Sequence, residues 1–116
     1  MSGSTLITSA GIPPAVDRLD LLDRLRADAS TLRALGLARC AIFGSFARDQ
    51  RIHPDSDVDL LVTFQPGRKD FDTFLQLADH LEAILARPVD LVTTEGLSKH
   101  LAETVLGEAV DVALGA

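Results

Sequence analysis

Asp57 and Asp59 open an apolar run with a single residue between them. Successive side chains of a strand point to opposite faces, so this spacing sets both carboxylates on one face, about 7 Å apart along the chain. Like charges so close raise each other's pKa and repel, so an apolar strand gains nothing from starting this way unless a cation sits between them. Magnesium suits such a pair, because it takes hard oxygen ligands from one or two carboxylates and substrate phosphates, with water completing the shell. Upstream, the apolar residues 41–43 stop at Gly44-Ser45. A glycine lets the backbone approach a ligand closely, and Ser45 offers a hydroxyl and an amide where a strand turns into a helix. Arg48, three residues on, lies on the same side of that first turn and can fork two N–H groups onto phosphate oxygens. Gly44, Ser45 and Arg48 therefore read as contacts to a nucleoside triphosphate, and Asp57 and Asp59 as ligands of the metal it brings.

Asp90 is the one charged residue in the apolar residues 89–93. Alternation turns it away from Val89 and Leu91, so it faces the same cleft if its strand neighbours that of Asp59. Each signal alone has an ordinary explanation: Gly-Ser makes turns, Asp-x-Asp can be a solvated strand start, and a single Asp can sit on an edge. Their combination is specific. A calcium loop is excluded, although Asp55, Asp57 and Asp59 have the spacing of its first three ligands. The sixth position, where such a loop needs Gly, holds Leu60, and the twelfth, where it needs Glu, holds Pro66.

Gly44-Ser45 followed by residues 57–62, Asp-Val-Asp-Leu-Leu-Val, resembles the signature of the polymerase-beta-like nucleotidyltransferase superfamily, and the short chain resembles its minimal branch. The likeness is tight over residues 40–64, recurs at residues 89–92, which match the family's third carboxylate strand, and extends over residues 17–116. Two departures lie in the loop: the eleven residues between Ser45 and Asp57 are one more than usual, and Asp49 stands where a Gly usually follows Ala-Arg. The resemblance implies an α/β (α+β) fold, a small mixed sheet with flanking helices, and ATP as substrate. It also implies a partner, a HEPN-family RNase toxin, whose tyrosine hydroxyl receives AMP. The chemistry asks the protein to position groups and neutralise charge on attacking and leaving oxygens, which two Mg2+ ions about 3.5 to 4 Å apart can do. Asp90 is then the second-metal ligand and the base for the incoming hydroxyl. Two other readings stay open: an antitoxin that silences its toxin by binding alone, and a subunit of a small-molecule, aminoglycoside-type nucleotidyltransferase.

The elements that must carry these residues follow from periodicity. Residues 1–14 are read as a tail, small and polar until Pro13-Pro14, and residues 15–116 as one domain; the 116 residues, 47% of them hydrophobic, fit a single core. Residues 15–35 place Leu19, Leu22, Leu25, Ala29, Leu32 and Leu35 at helical spacing, ended by Gly36, with the arginines between them on a solvated face. Strands are expected at residues 40–43, 58–64 and 89–93. Asp70 caps a helix with Phe71, Phe74, Leu75, Ala78, Leu81 and Leu85 as its core stripe. A last helix is expected around Leu97, Leu101, Val105 and Leu106, and a terminal strand at Val110, Val112 and Leu114. His80 and His100 fall on polar faces and are read as solvated. Cys40, the single cysteine, is a small buried hydrophobe and excludes an internal disulfide.

The formal net charge of −6 argues against nucleic acid as a partner, which requires clustered Lys and Arg. No window approaches a membrane span, and the N-terminus lacks the basic start and apolar middle of a signal peptide, so the expected compartment is the cytoplasm.

Overall fold

A computed structural model describes residues 11–96, 103 and 107–114. The first long helix of the sequence reading is two helices, α1 (Arg18–Ala27) and α2 (Ala29–Ala34), broken at Asp28. Asp28 leaves the helical conformation at φ −100° and ψ 8°, and its carboxylate meets His80 Nε2 at 2.5 Å across the domain. His80 is therefore half-buried and partnered, not solvated. The arginines of α1 are not simply a solvated face either. Arg24 pairs with Asp20 and donates to the carbonyls of Pro13, Ile84 and Leu85, and Arg18 donates to Ala47 O at 2.7 Å. Leu19, placed in the apolar stripe by spacing, is 64% exposed; Leu21, Leu22 and Leu25 are the residues that α1 buries.

Strands β1 (Leu37–Phe43), β2 (Val58–Phe64), β3 (Val89–Thr93) and β4 (Val110–Asp111) form one mixed sheet in the order β3-β2-β1-β4. β1 begins three residues before the expected start because Leu37 already pairs with Phe64. β2 runs antiparallel to β1 and parallel to β3. A parallel pair needs a crossover, and α4 (Phe71–Leu85) supplies it. Asp70 caps α4 as expected, its Oδ1 accepting from Thr73 N at 2.8 Å.

Alternation divides the sheet into two unlike faces. Val58, Leu60, Val62 and Phe64 of β2, with Cys40 and Ile42 of β1, meet the helices in the main core. Leu77, Leu81 and Leu85 are the fully buried residues of α4, with Phe74 packed beside them. Phe74, Leu81 and Leu85 of the expected stripe are in the core, but Phe71 is 74% exposed and Leu75 also faces out, while Leu77, outside the expected stripe, is fully buried. The opposite face carries only a small cluster, Ala41 and Leu61 with Phe43, Val92 and Ala109. Val112 and Leu114 are buried as alternation required, although the paired strand is only two residues long. The expected last helix falls largely outside the described residues. Among the described residues no helix is long and apolar enough to cross a membrane.

Candidate active site

The second face of the sheet is where the singled-out residues meet. Asp59 lies in β2 directly beside Asp90 of β3 and opposite Phe43 of β1. Parallel register puts paired residues on the same face, so Asp59 and Asp90 share a cleft, and Asp57, two residues before Asp59, is directed to the same side. Asp57 precedes the first residue of β2 and is exposed, as is Asp90; Asp59 is half-buried between them. Electrostatics register that gathering. Burial first, then the charges of Asp90 and Asp57, push the Asp59 carboxyl above its ordinary value, and Arg48 offsets part of the rise.

The turn between β1 and the four-residue α3 (Ser45–Arg48) comes up against this carboxylate. Gly44 adopts φ 73° and ψ −150°, a region open essentially to glycine alone. A Cβ at this position would collide with Asp59 Oδ2 and stand 3.2 Å from its Cγ. The glycine thus lets the backbone of the α3 entry approach the carboxylate, whereas its place in the sequence suggested approach to a ligand. Phe46 anchors α3 in the core at 0% exposure. Asp49, which departs from the usual Gly, holds a left-handed conformation at φ 56°; aspartate tolerates it better than most residues, and its Oδ1 accepts from Arg18 N at 3.0 Å. The loop therefore keeps the backbone shape a glycine would give and ties it to α1.

Arg48 stands at the edge of the cleft, where its Nη1 contacts both carboxylate oxygens of Glu108 at 3.1 and 3.2 Å. Sequence spacing could not reveal Glu108, because the contact spans sixty residues. Arg87 was also missed: a lone charge between the apolar ends of α4 and β3, it is 7% exposed and the one buried charged residue in the described core. Cys40 is inert as expected, its thiol pushed up to about 12 by burial and then by the charge of Asp111.

The donor set fits a divalent cation. It offers hard carboxylate oxygens on one face, one of them with its charge disfavoured until a cation arrives. Among the described residues no three His, Cys, Asp or Glu side chains are gathered closely enough to hold a metal ion by themselves, so water and substrate phosphate oxygens would have to complete its shell. A cavity of about 290 Å³ lies further along the same face over Ala41 and Leu61, but the carboxylates do not line it. The carboxylates lie on an open face of the sheet, Asp57 and Asp90 exposed and Asp59 half-buried.

A mixed sheet with helices on one face, two neighbouring strands presenting carboxylates on the other, and a glycine turn against them define a nucleotidyltransferase core. The family model for polymerase beta nucleotidyltransferases matches residues 31–112, and the chain belongs to that family. It is 40% identical over 77 residues to the protein adenylyltransferase MntA of Thermococcus cleftensis, covering 66% of this chain and 76% of the relative. A solved minimal nucleotidyltransferase superposes with a TM-score of 0.63 at 39% identity, covering 77% of this chain and 93% of that one. A structure of a tri-AMPylated Shewanella oneidensis HEPN toxin in complex with its MNT antitoxin shares the fold at 22% identity. Its TM-score is 0.56, and the match covers 78% of this chain and 71% of that chain.

Proposed function

We propose that this chain is the antitoxin of a toxin–antitoxin pair and that it silences a HEPN-type RNase toxin by transferring AMP from ATP to a tyrosine hydroxyl, in the cytoplasm, with residues 15–116 as the working domain. The observation that carries the reading is the β2–β3 register, with Asp59 beside Asp90 and Asp57 on the same side. The adenylyltransferase relative and the AMPylated HEPN toxin complex support a protein acceptor of the HEPN class; the tyrosine is what the family resemblance implies.

In this reaction the tyrosine oxygen attacks the α-phosphorus, the bond from that phosphorus to the bridging oxygen of pyrophosphate breaks, and the phenolic proton leaves. Asp57, Asp59 and Asp90 would hold Mg2+, which supplies neutralisation of the triphosphate and of the developing oxygen charges. Asp90, exposed at the mouth of the cleft, receives the phenolic proton. The amides at the start of α3 and the Ser45 hydroxyl cradle phosphate oxygens, and Gly44 lets them come close to Asp59. Arg48 exchanges Glu108 for phosphate, since a bidentate guanidinium–phosphate contact is a strong charge-assisted pair.

Co-purification separates catalysis from occlusion. A standard interface buries about 1,600 Å² in total, so one cleft carboxylate is a small part of it. Asp90→Asn is expected to co-purify with the toxin yet leave no AMP increment on it by intact mass. If that variant protects cells as well as the parent, neutralisation works by binding and the catalytic reading fails.

A further inference from the structure

We propose that Arg87 is a positioning residue that fixes the 53–56 turn, and through it Asp57, against α3 and β3. This rests on the reading of Asp57 as a cleft carboxylate. The Arg87 side chain joins the 53–56 turn to the segment before α1 and to α3. Its Nη1 donates to His53 O at 2.9 Å and Ser56 O at 3.0 Å, with Pro54 O at a longer 3.3 Å. Its Nε donates to Ala15 O at 2.6 Å, in the segment leading into α1. Its guanidinium carbon lies 5.2 Å from the centroid of Phe46, the buried anchor of α3. Three residues further along its own chain is Asp90, and Pro88 O accepts from Val58 N at 2.9 Å, joining the starts of β2 and β3.

The surroundings are unusual for a residue that serves stability alone. Arg87 is buried, and among the described residues it makes no ion pair with a carboxylate; Asp55 is near enough to favour its charge, but its direct contacts are backbone carbonyls and a ring face. Burying a cation is expensive, and a well-packed apolar side chain of similar volume is often as stabilising or more so. The residue before it, Ala86, caps the end of α4 in a left-handed conformation at φ 53°, which is disfavoured for residues with a Cβ. What a guanidinium does that methionine or lysine cannot is bind several carbonyls at once in a fixed plane. The turn it grips is otherwise closed only locally, by Ser56 N to His53 O and His53 N to Ser56 Oγ, and its next residue is Asp57.

Two variants test this, Arg87→Met, which keeps the stem and loses the donors, and Arg87→Lys, which keeps the charge and loses the fork. The first readout needs no ligand: amide hydrogen exchange of the metal-free protein. Both variants are expected to speed exchange at Ser56 and Val58 about tenfold or more relative to core amides of β2 and α4 such as Leu60 and Leu81, with Lys the milder. The second is Mn2+ titration of the cleft with ATP present. Losing a residue that orients a ligand typically weakens metal affinity about 10- to 100-fold, so the midpoint should rise by such a factor and excess metal should restore transfer. Exchange that is unchanged, or that accelerates equally at the turn and in the core, overturns the proposal. So does a loosened turn with an unmoved midpoint. If the parent itself binds no Mn2+, the nucleotidyl-transfer reading fails separately, and the exchange comparison decides the role of Arg87.

Discussion

The two faces of one sheet obey opposite rules. On the helix side, Val58, Leu60 and Val62 are 0% exposed and sealed by α1, α2 and α4. On the other side, the same strand turns Asp59 toward Asp57 and Asp90, where burial and like charge push its carboxyl above the ordinary value. One face lowers the free energy of the fold by removing apolar area from water; the other gathers charge that the fold must tolerate. Alternation lets both live in seven residues, and changes on the two faces should separate stability from chemistry.

The largest effect belongs to the helix side. Leu81→Ala, at a fully buried position, is expected to cost about 2–5 kcal/mol in chemical denaturation while leaving transfer per folded molecule unchanged. A loss of transfer in the folded fraction would show that the faces are not separable. Gly44→Ala comes next. It forces a side chain into φ 73° and against Asp59, at a cost of about 1–3 kcal/mol, and should abolish transfer even where the protein is folded. Full activity in that variant would remove the close approach of α3 from the site.

Asp59→Asn should move the two properties in opposite directions. A raised carboxyl pKa in the folded state means that stability is fully present below the ordinary value of 3.8 and is lost as pH rises through the folded value. The metal-free parent should therefore lose stability over that window. The variant should be the more stable of the two at neutral pH and should converge with the parent in acid. A variant less stable at neutral pH would contradict the charge-strain account. The smallest effect is at Glu108→Gln, since the ion pair with Arg48 is about half exposed at the arginine and such pairs are worth about 0–1 kcal/mol. Thermal melting should barely change, whereas KM for ATP should fall a few-fold as Arg48 becomes free for phosphate; an increased KM would mean that Glu108 helps to hold the nucleotide.

The sequence revealed what depends on short periods. Period two located β2 and β3 with their carboxylates, and the glycine at 44 marked a close backbone approach, although its neighbour in the structure is Asp59 rather than a ligand. Helix phase was harder, because α4 has apolar residues at 71, 74, 75, 77, 78, 81, 83, 84 and 85, enough to cover more than one face. Only the sheet beneath decides that Leu77 goes in and Phe71 stays out. The break at Asp28 and the holds of Arg87 and Glu108 are contacts across 52, 34 and 60 residues, which no local pattern encodes.

AMP transfer by the carboxylate face is tested most directly by the intact mass of the toxin after incubation with ATP, Mg2+ and either the parent chain or Asp57→Asn. The parent is expected to add one or more AMP units, localised to tyrosine on peptide mapping, and the folded variant none. Equal adducts from both proteins, or no adduct from the parent on a toxin that it binds, would contradict it.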